Sequence, residues 1–228
     1  MKYAFAVPST PAVPIAGTDQ HYPVRRIYCV GRNYAEHARE MGVDPEREPP
    51  FFFAKPADAV VANGSEIPYP LSTRNFHHEI ELVVAIGKPG VQIRTESALA
   101  HVFGYAVGID LTRRDLQLAA RDKGRPWDAG KGFDRSAPIS AIHRADDIGH
   151  PASGSIWLKV NDTQKQAADL KDLLWPVPDV VAQLSQLFAL EPGDLIFTGT
   201  PAGVGPLVAG DRVSGGVAGV DEISIRIV

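Results

Sequence analysis

The chain has 228 residues, of which 44% are apolar and 22% charged, and its 23 basic against 27 acidic side chains give a net charge of −4. That balance excludes a wholly disordered chain and offers no basic footprint to nucleic acid or an anionic membrane, so the expected partner is a small molecule. A single cysteine, Cys29, excludes an internal disulfide framework and a multi-cysteine metal cage, and fits a reducing compartment.

In chain order, YAFAV at 3–7 reads as a strand inside a small N-terminal extension of residues 1–22, ahead of one main domain over 23–228. Pro8, Pro11 and Pro14 break its apolar run before signal-peptide length, and no stretch approaches the roughly 18 apolar residues of a membrane span, so a cytoplasmic protein is expected. RRIYCVG at 25–31 is the next strand, with Cys29 as a small buried hydrophobe. NYAEHAREMG at 33–42 reads as a short helix in which Asn33 and Glu36 make a cap and its partner. Phe51 to Phe53 are most simply core. Further strands are read at 79–87, 103–110, 155–161, 194–200 and 221–228, from their β-branched and aromatic content. Helices are read at 112–124, opened by Thr112 and Asp115, and at 178–190. With 21 glycines and 19 prolines spread along the chain and no regular alternation of strand and helix, the expected class is α+β, mainly β.

The segment NFHHEIELVV at 75–84 carries two glutamates two apart. Side chains alternate along a strand, so Glu79 and Glu81 share a face with Val83, and that face turns apolar as the strand continues. A wet outer face is one reading. The other is a covered pair of carboxylates that needs basic partners or a cation. Asp110 adds a third carboxylate at the end of another strand, and an oxygen-only donor set suits Mg²⁺ or Mn²⁺. Ca²⁺ usually takes more protein oxygens, and zinc on His77 or His78 is a lesser alternative because HHE lacks helical zinc spacing. His37 and Glu40, three apart on a helix, share a face, so the carboxylate can orient the imidazole as a base. Lys131 stands between glycines in DAGKGFD, where the plain reading is an exposed lysine. TGTPAGVG at 198–205 lacks the lysine of a P-loop, so no nucleotide cofactor is expected.

The ordered segments VGRNYAEHAREMG, FFFAKPADAV, RNFHHEIELVVAIG, GYAVGIDLTRRDLQ, GKGFD and GDLIFTGTPAGVGPL resemble the fumarylacetoacetate hydrolase family from about Pro23 to the C-terminus. The resemblance implies a mixed β-sandwich roll, a homodimer, and a divalent ion on Glu79, Glu81 and Asp110. It makes His37 and Glu40 the water-activating pair and Lys131 the group that steadies negative charge on the substrate. Arg114, Gln117 and Thr200 match substrate-contacting positions, and Lys55, which matches a family motif in FFFAKPAD, is expected with them among the substrate-binding residues. Two departures stand out: Ile109 where members often have Asn, and Arg113 where they have a small residue.

The implied reaction is metal-dependent hydrolysis of a carbon–carbon bond in an acylpyruvate, with 3-fumarylpyruvate giving fumarate and pyruvate in gentisate-type aromatic degradation. Arg32 or Arg74 is expected to pair with the fumaryl carboxylate, and spacing does not select between them. The alternatives are oxaloacetate decarboxylation, a general acylpyruvate hydrolase, isomerisation of a 2-oxo diacid, and a non-catalytic carboxylate-binding module.

Overall fold

The computed structural model describes residues 1–40 and 49–228, so Met41 and Gly42, the end of the helix expected at 33–42, lie outside the described residues. At its centre is the strand Ile80–Ile86, every residue of which is buried. It pairs antiparallel with Val102–Ile109 on one side and with Asp194–Phe197 on the other. The sheet continues from Asp194–Phe197 through Arg26–Gly31 to Phe51–Lys55, and from Val102–Ile109 through Ala137–Ile139 to Val60–Ala62, with His143–Arg144 also paired to Val102–Ile109. Parallel pairs, such as Asp194–Phe197 with Arg26–Gly31, make it mixed.

Both faces of the central strand are covered, which is why its sequence is a continuous apolar run rather than an alternation. Ile80, Leu82, Val84 and Ile86 enter a core shared with Ile156, Leu158, Ile223 and Ile225 of a second, five-stranded sheet. Val83 and Ala85 face the other way, into a core with Ile27, Cys29, Leu195 and Phe197. Burying a side chain of this size contributes about 1.5–3 kcal/mol. The two sheets packed in this way give the mainly β, curled α+β architecture expected from the sequence. Cys29 is fully buried, and burial pushes its thiol well above the ordinary range, as expected of an inert core residue.

The strand expected at 3–7 does not form. Tyr3, Phe5 and Val7 are exposed, and the first pairing is instead Ala12–Pro14 with His21–Pro23. Propensity suggested a strand, but Pro8 and Pro11 remove ladder donors next to it and no edge of the fold receives it. The hairpin that does form is fixed by Tyr22, whose hydroxyl lies 2.7 Å from the Ile86 carbonyl and 3.0 Å from that of Asp194 and accepts from the Gly193 N–H at 2.9 Å. Conversely, Thr163–Asp169 is a strand that lacks β-branched and aromatic residues beyond Thr163. It forms because Asn161 and Asp162, at φ 48° and 65°, make the tight turn that folds it back on Ser155–Val160.

The helices Arg114–Asp122 and Val177–Leu187 lie within two residues of their expected starts. The expected cap at Thr112 and Asp115 is absent. Thr112 donates to the Asp110 carbonyl at 3.0 Å, and Asp115 accepts from the Thr73 hydroxyl and the Arg74 N–H. Among the described residues no helix is long and apolar enough to cross a membrane. Leu82→Ala should lower unfolding free energy by about 2–5 kcal/mol in urea titration; a loss under about 1 kcal/mol would show that this face of the strand is not core.

Candidate metal centre and substrate cleft

Register assembles the acidic trio. Ile80 opposes Ile109 and Glu81 opposes Gly108, so Asp110, one residue past its strand, comes alongside Glu79 and donates its N–H to the Glu79 carbonyl at 2.8 Å. One carboxylate oxygen from each of Glu79, Glu81 and Asp110 lies within 4.8 Å of the others. Opposite ligands about one small divalent ion stand roughly 4.2 Å apart, so the spacing fits a single cation. All three side chains are buried, which removes the wet-face reading of the glutamates.

Three cationic groups meet them. Lys131 donates to Glu79 Oε2 at 2.8 Å, to Asp110 Oδ2 at 2.7 Å and to Thr112 Oγ1 at 2.8 Å. Arg114 donates to Glu79 Oε1 and to Gln117 Oε1. Lys55 lies 2.7 Å from Asp110 Oδ1, though off the angle of a hydrogen bond, while its ammonium donates to the carbonyls of Leu111 and Lys131. Burial alone would raise Glu79, but Lys131 and Arg114 outweigh it and hold the carboxyl well below its usual range. Glu81 has no such partner. Burial and then the charges of Asp110 and Glu79 push it well up, and its one bond among the described residues is from the Gly199 N–H at 2.7 Å. Gly199 sits at φ +98°, and a Cβ there would stand 2.7 Å from that of Asn33, so only glycine brings this N–H to the carboxylate. An acidic trio in which an ammonium already bridges two members and the third lacks a cation has the chemistry of a divalent-ion site.

His37 projects from the helix Ala35–Glu40 into the same cleft, its Nδ1 3.2 Å from Glu40 Oε2. Burial holds its pKa below 6.5, against the raising effect of Glu79 and Glu40. Glu40 also accepts from the Gly203 N–H, which ties the helix to the glycine-rich loop. Asn33 is not the expected cap. Its side chain accepts from the Trp175 N–H at 2.7 Å and donates to the carbonyls of Trp175 and Thr198, and Glu36 is exposed.

The cleft encloses about 470 Å³ including its open mouth. Of the residues singled out in the sequence, Arg32, His37, Glu79, Glu81, Arg114, Gln117, Lys131 and Thr200 line it. Glu40 and Asp110 stand behind that wall. Lys55 does not reach it. The expectation that Lys55 touches substrate is corrected: the side chain is fully buried and anchors Asp110 and the Lys131 backbone from behind. Lys131 is not an exposed lysine but a buried one. Phe51 and Phe53 alternate onto the cleft wall with Trp127; the expectation of core holds for Phe52, which packs on the larger core, and in part for Phe53, which also packs on the smaller one. Neither His77 nor His78 joins the trio; His77 meets Arg114 and Asn75, and His78 meets Gln166.

The sequence reading missed Arg121 and Trp127, which line the cleft, and Gln166, which holds its wall from behind. Arg121 stands seven after Arg114 and so shares its helix face with Gln117, a signal the spacing did contain. Gln166 carries no local signal. It is fully buried and accepts from the Ile80 N–H at 3.1 Å while donating to Thr200 Oγ1 and the Pro201 carbonyl, each at 2.8 Å.

The model of the fumarylacetoacetate (FAA) hydrolase C-terminal family matches residues 26–228. The chain belongs to the fumarylacetoacetate hydrolase family. A solved fumarylpyruvate hydrolase of Pseudomonas aeruginosa, in complex with Mn²⁺ and pyruvate, is 55% identical, with a TM-score of 0.98 over 100% of this chain and 99% of that one. A fumarylpyruvate hydrolase of Ralstonia sp. is 46% identical over 81% of this chain and 96% of its own. The mitochondrial oxaloacetate tautomerase FAHD1 of Homo sapiens is 39% identical over 89% of this chain and 91% of its own.

The two departures from the common pattern of fumarylacetoacetate hydrolase sequences leave the trio intact. Ile109 is fully buried in the larger core, turned away from Asp110. Arg113 neither shapes the rim nor lies free, because its guanidinium stacks 4.3 Å from the Phe133 ring. Removing the cation-free member of the trio, Glu81→Gln, should weaken Mn²⁺ binding by more than the roughly 10- to 100-fold typical of a lost outer-shell partner. Isothermal titration with unchanged affinity would take Glu81 out of the site.

Proposed function

We propose that the chain is a metal-dependent acylpyruvate hydrolase that cleaves 3-fumarylpyruvate with water to fumarate and pyruvate. The observation that carries this reading is the convergence, in one cleft, of an oxygen-only acidic trio and a histidine held by a carboxylate. Its similarity to fumarylpyruvate hydrolases at 46% and 55%, against 39% to an oxaloacetate tautomerase, supports the choice of substrate. An assembly of two copies and a place in aromatic degradation belong to the same proposal.

In this reading Glu79, Glu81 and Asp110 hold Mg²⁺ or Mn²⁺. When bound, such an ion supplies Lewis-acid stabilisation of the negative charge that gathers on the pyruvyl oxygens, worth several kcal/mol. The protein groups do the rest. Glu40 accepts the Nδ1 proton of His37, which leaves Nε2 unprotonated as the base, and burial keeps the ring neutral. Nε2 takes a proton from water while the oxygen attacks the acyl carbonyl. The carbon–carbon bond then breaks, its electron pair leaves with pyruvate as the enolate, and the imidazolium returns the proton to that carbon. Gln166 donates to Thr200 Oγ1, so the hydroxyl proton is left to donate to a substrate carboxylate. Arg114 keeps Gln117 and Glu79 in place on the helix side. Each Lys131 proton already rests on a protein oxygen, so Lys131 acts first by keeping Glu79 and Asp110 ionised and aimed.

After metal removal and restoration with Mg²⁺ or Mn²⁺, the enzyme should turn over fumarylpyruvate in preference to maleylpyruvate, acetylpyruvate and oxaloacetate. Selective turnover of oxaloacetate would remove the reading, as would full activity after exhaustive EDTA dialysis. His37→Ala should lower kcat by about 10²- to 10⁴-fold with Mn²⁺ binding retained. Since the base works deprotonated and its pKa lies below 6.5, the acid limb of kcat/KM should have its midpoint below pH 6.5; a midpoint above that value would point to another base.

A further inference from the structure

The cleft is graded in charge and exposure. At its floor the cations are matched, Arg114 by Glu79 and Lys131 by Glu79 and Asp110. At its half-exposed rim Arg32 is not, and Arg121 is matched only by Asp122, its exposed neighbour in the chain. Arg32 has no carboxylate partner among the described residues, and its guanidinium lies over the Phe51 ring at 5.4 Å. Arg121 meets one oxygen of exposed Asp122 through Nε at 3.1 Å and Nη2 at 3.0 Å, and its Nη1 has no partner among the described residues.

The backbone holds Arg32 there against its preference. Arg32 sits at φ +60°, a left-handed conformation rare for a long side chain. The Phe51 ring lies where a Cβ on Gly31 would be, 2.0 Å from that position, so glycine there lets the strand pass against the ring in its present position, with Arg32 turned back over it. Strain of this kind, kept at a cleft, points to a function that retains it. The walls between floor and rim are Phe51 and Trp127, in edge contact with centroids 5.2 Å apart, which suits a flat conjugated chain. Arg74, the other arginine considered from the sequence, is exposed and outside the cleft.

We infer that Arg32 and Arg121 form the receptor for a second carboxylate at the far end of the acyl group, and so select dicarboxylate acylpyruvates over short uncharged ones. The inference rests on the acylpyruvate reading above. A guanidinium fork matches a carboxylate through two charge-assisted hydrogen bonds, and an unpaired one at a half-dry rim is the group left to do so.

The test is steady-state kinetics with fumarylpyruvate and acetylpyruvate on the Mn²⁺ enzyme, its Arg32→Gln and Arg121→Gln variants and the double variant. The ratio of kcat/KM for fumarylpyruvate to that for acetylpyruvate should fall about 10- to 100-fold in Arg32→Gln, the range of a lost hydrogen bond to a charged group. Product inhibition by fumarate should weaken in step while inhibition by pyruvate does not. Parallel losses on both substrates, or an unchanged ratio in the double variant, would overturn the inference alone. Wild type that hydrolyses neither substrate would overturn the acylpyruvate reading, and the inference with it.

Discussion

Everything around the cleft follows from burying three carboxylates together. An ionised group out of water costs several kcal/mol unless it is paired, and like charges in contact raise that cost. The fold answers with Lys55, Lys131 and Arg114, each brought from a different element: a strand next but two in the sheet, a four-residue helix, and the helix that follows Asp110. The solution is incomplete by one member. Glu81 faces only a backbone N–H, so the arrangement accepts a further cation without dismantling the pairs that hold Glu79 and Asp110.

Burial of the central strand on both faces is what makes this geometry firm. Its side chains are pinned between two cores, and Gln166, from the second sheet, bonds the backbone at Ile80, between the two glutamates, as well as Thr200 of the cleft wall. The second sheet is therefore part of the site although it contributes no metal ligand. Catalytic groups on sheet strands are positioned more exactingly than groups on loops, and here the loop residues are themselves held by strand residues.

The sequence carried the features whose cause is local. Alternation along a strand put Glu79, Glu81 and Val83 on one face, helical spacing put His37 beside Glu40, and a strand end exposed Asp110 to its neighbours; each survives in the structure. What local pattern does not carry is register. Gln166 lies 88 residues from His78 and meets it only because two sheets pack, and Lys131 reads as an ordinary lysine until the trio is assembled around it. Thr163–Asp169 is a strand by virtue of its partner rather than its composition, and YAFAV fails for the opposite reason, having the composition without a partner. Phe51 and Phe53 are apolar residues used as a wall, a distinction between core and lining that hydrophobicity alone does not make.

The run from Thr198 to Gly203 serves four masters in six residues. Asn33 takes the Thr198 carbonyl, Glu81 the Gly199 N–H, Gln166 the Thr200 hydroxyl and the Pro201 carbonyl, and Glu40 the Gly203 N–H. Its length is thus as constrained as its composition: gaining or losing one residue there shifts the acid, the base and the hydroxyl out of phase with one another.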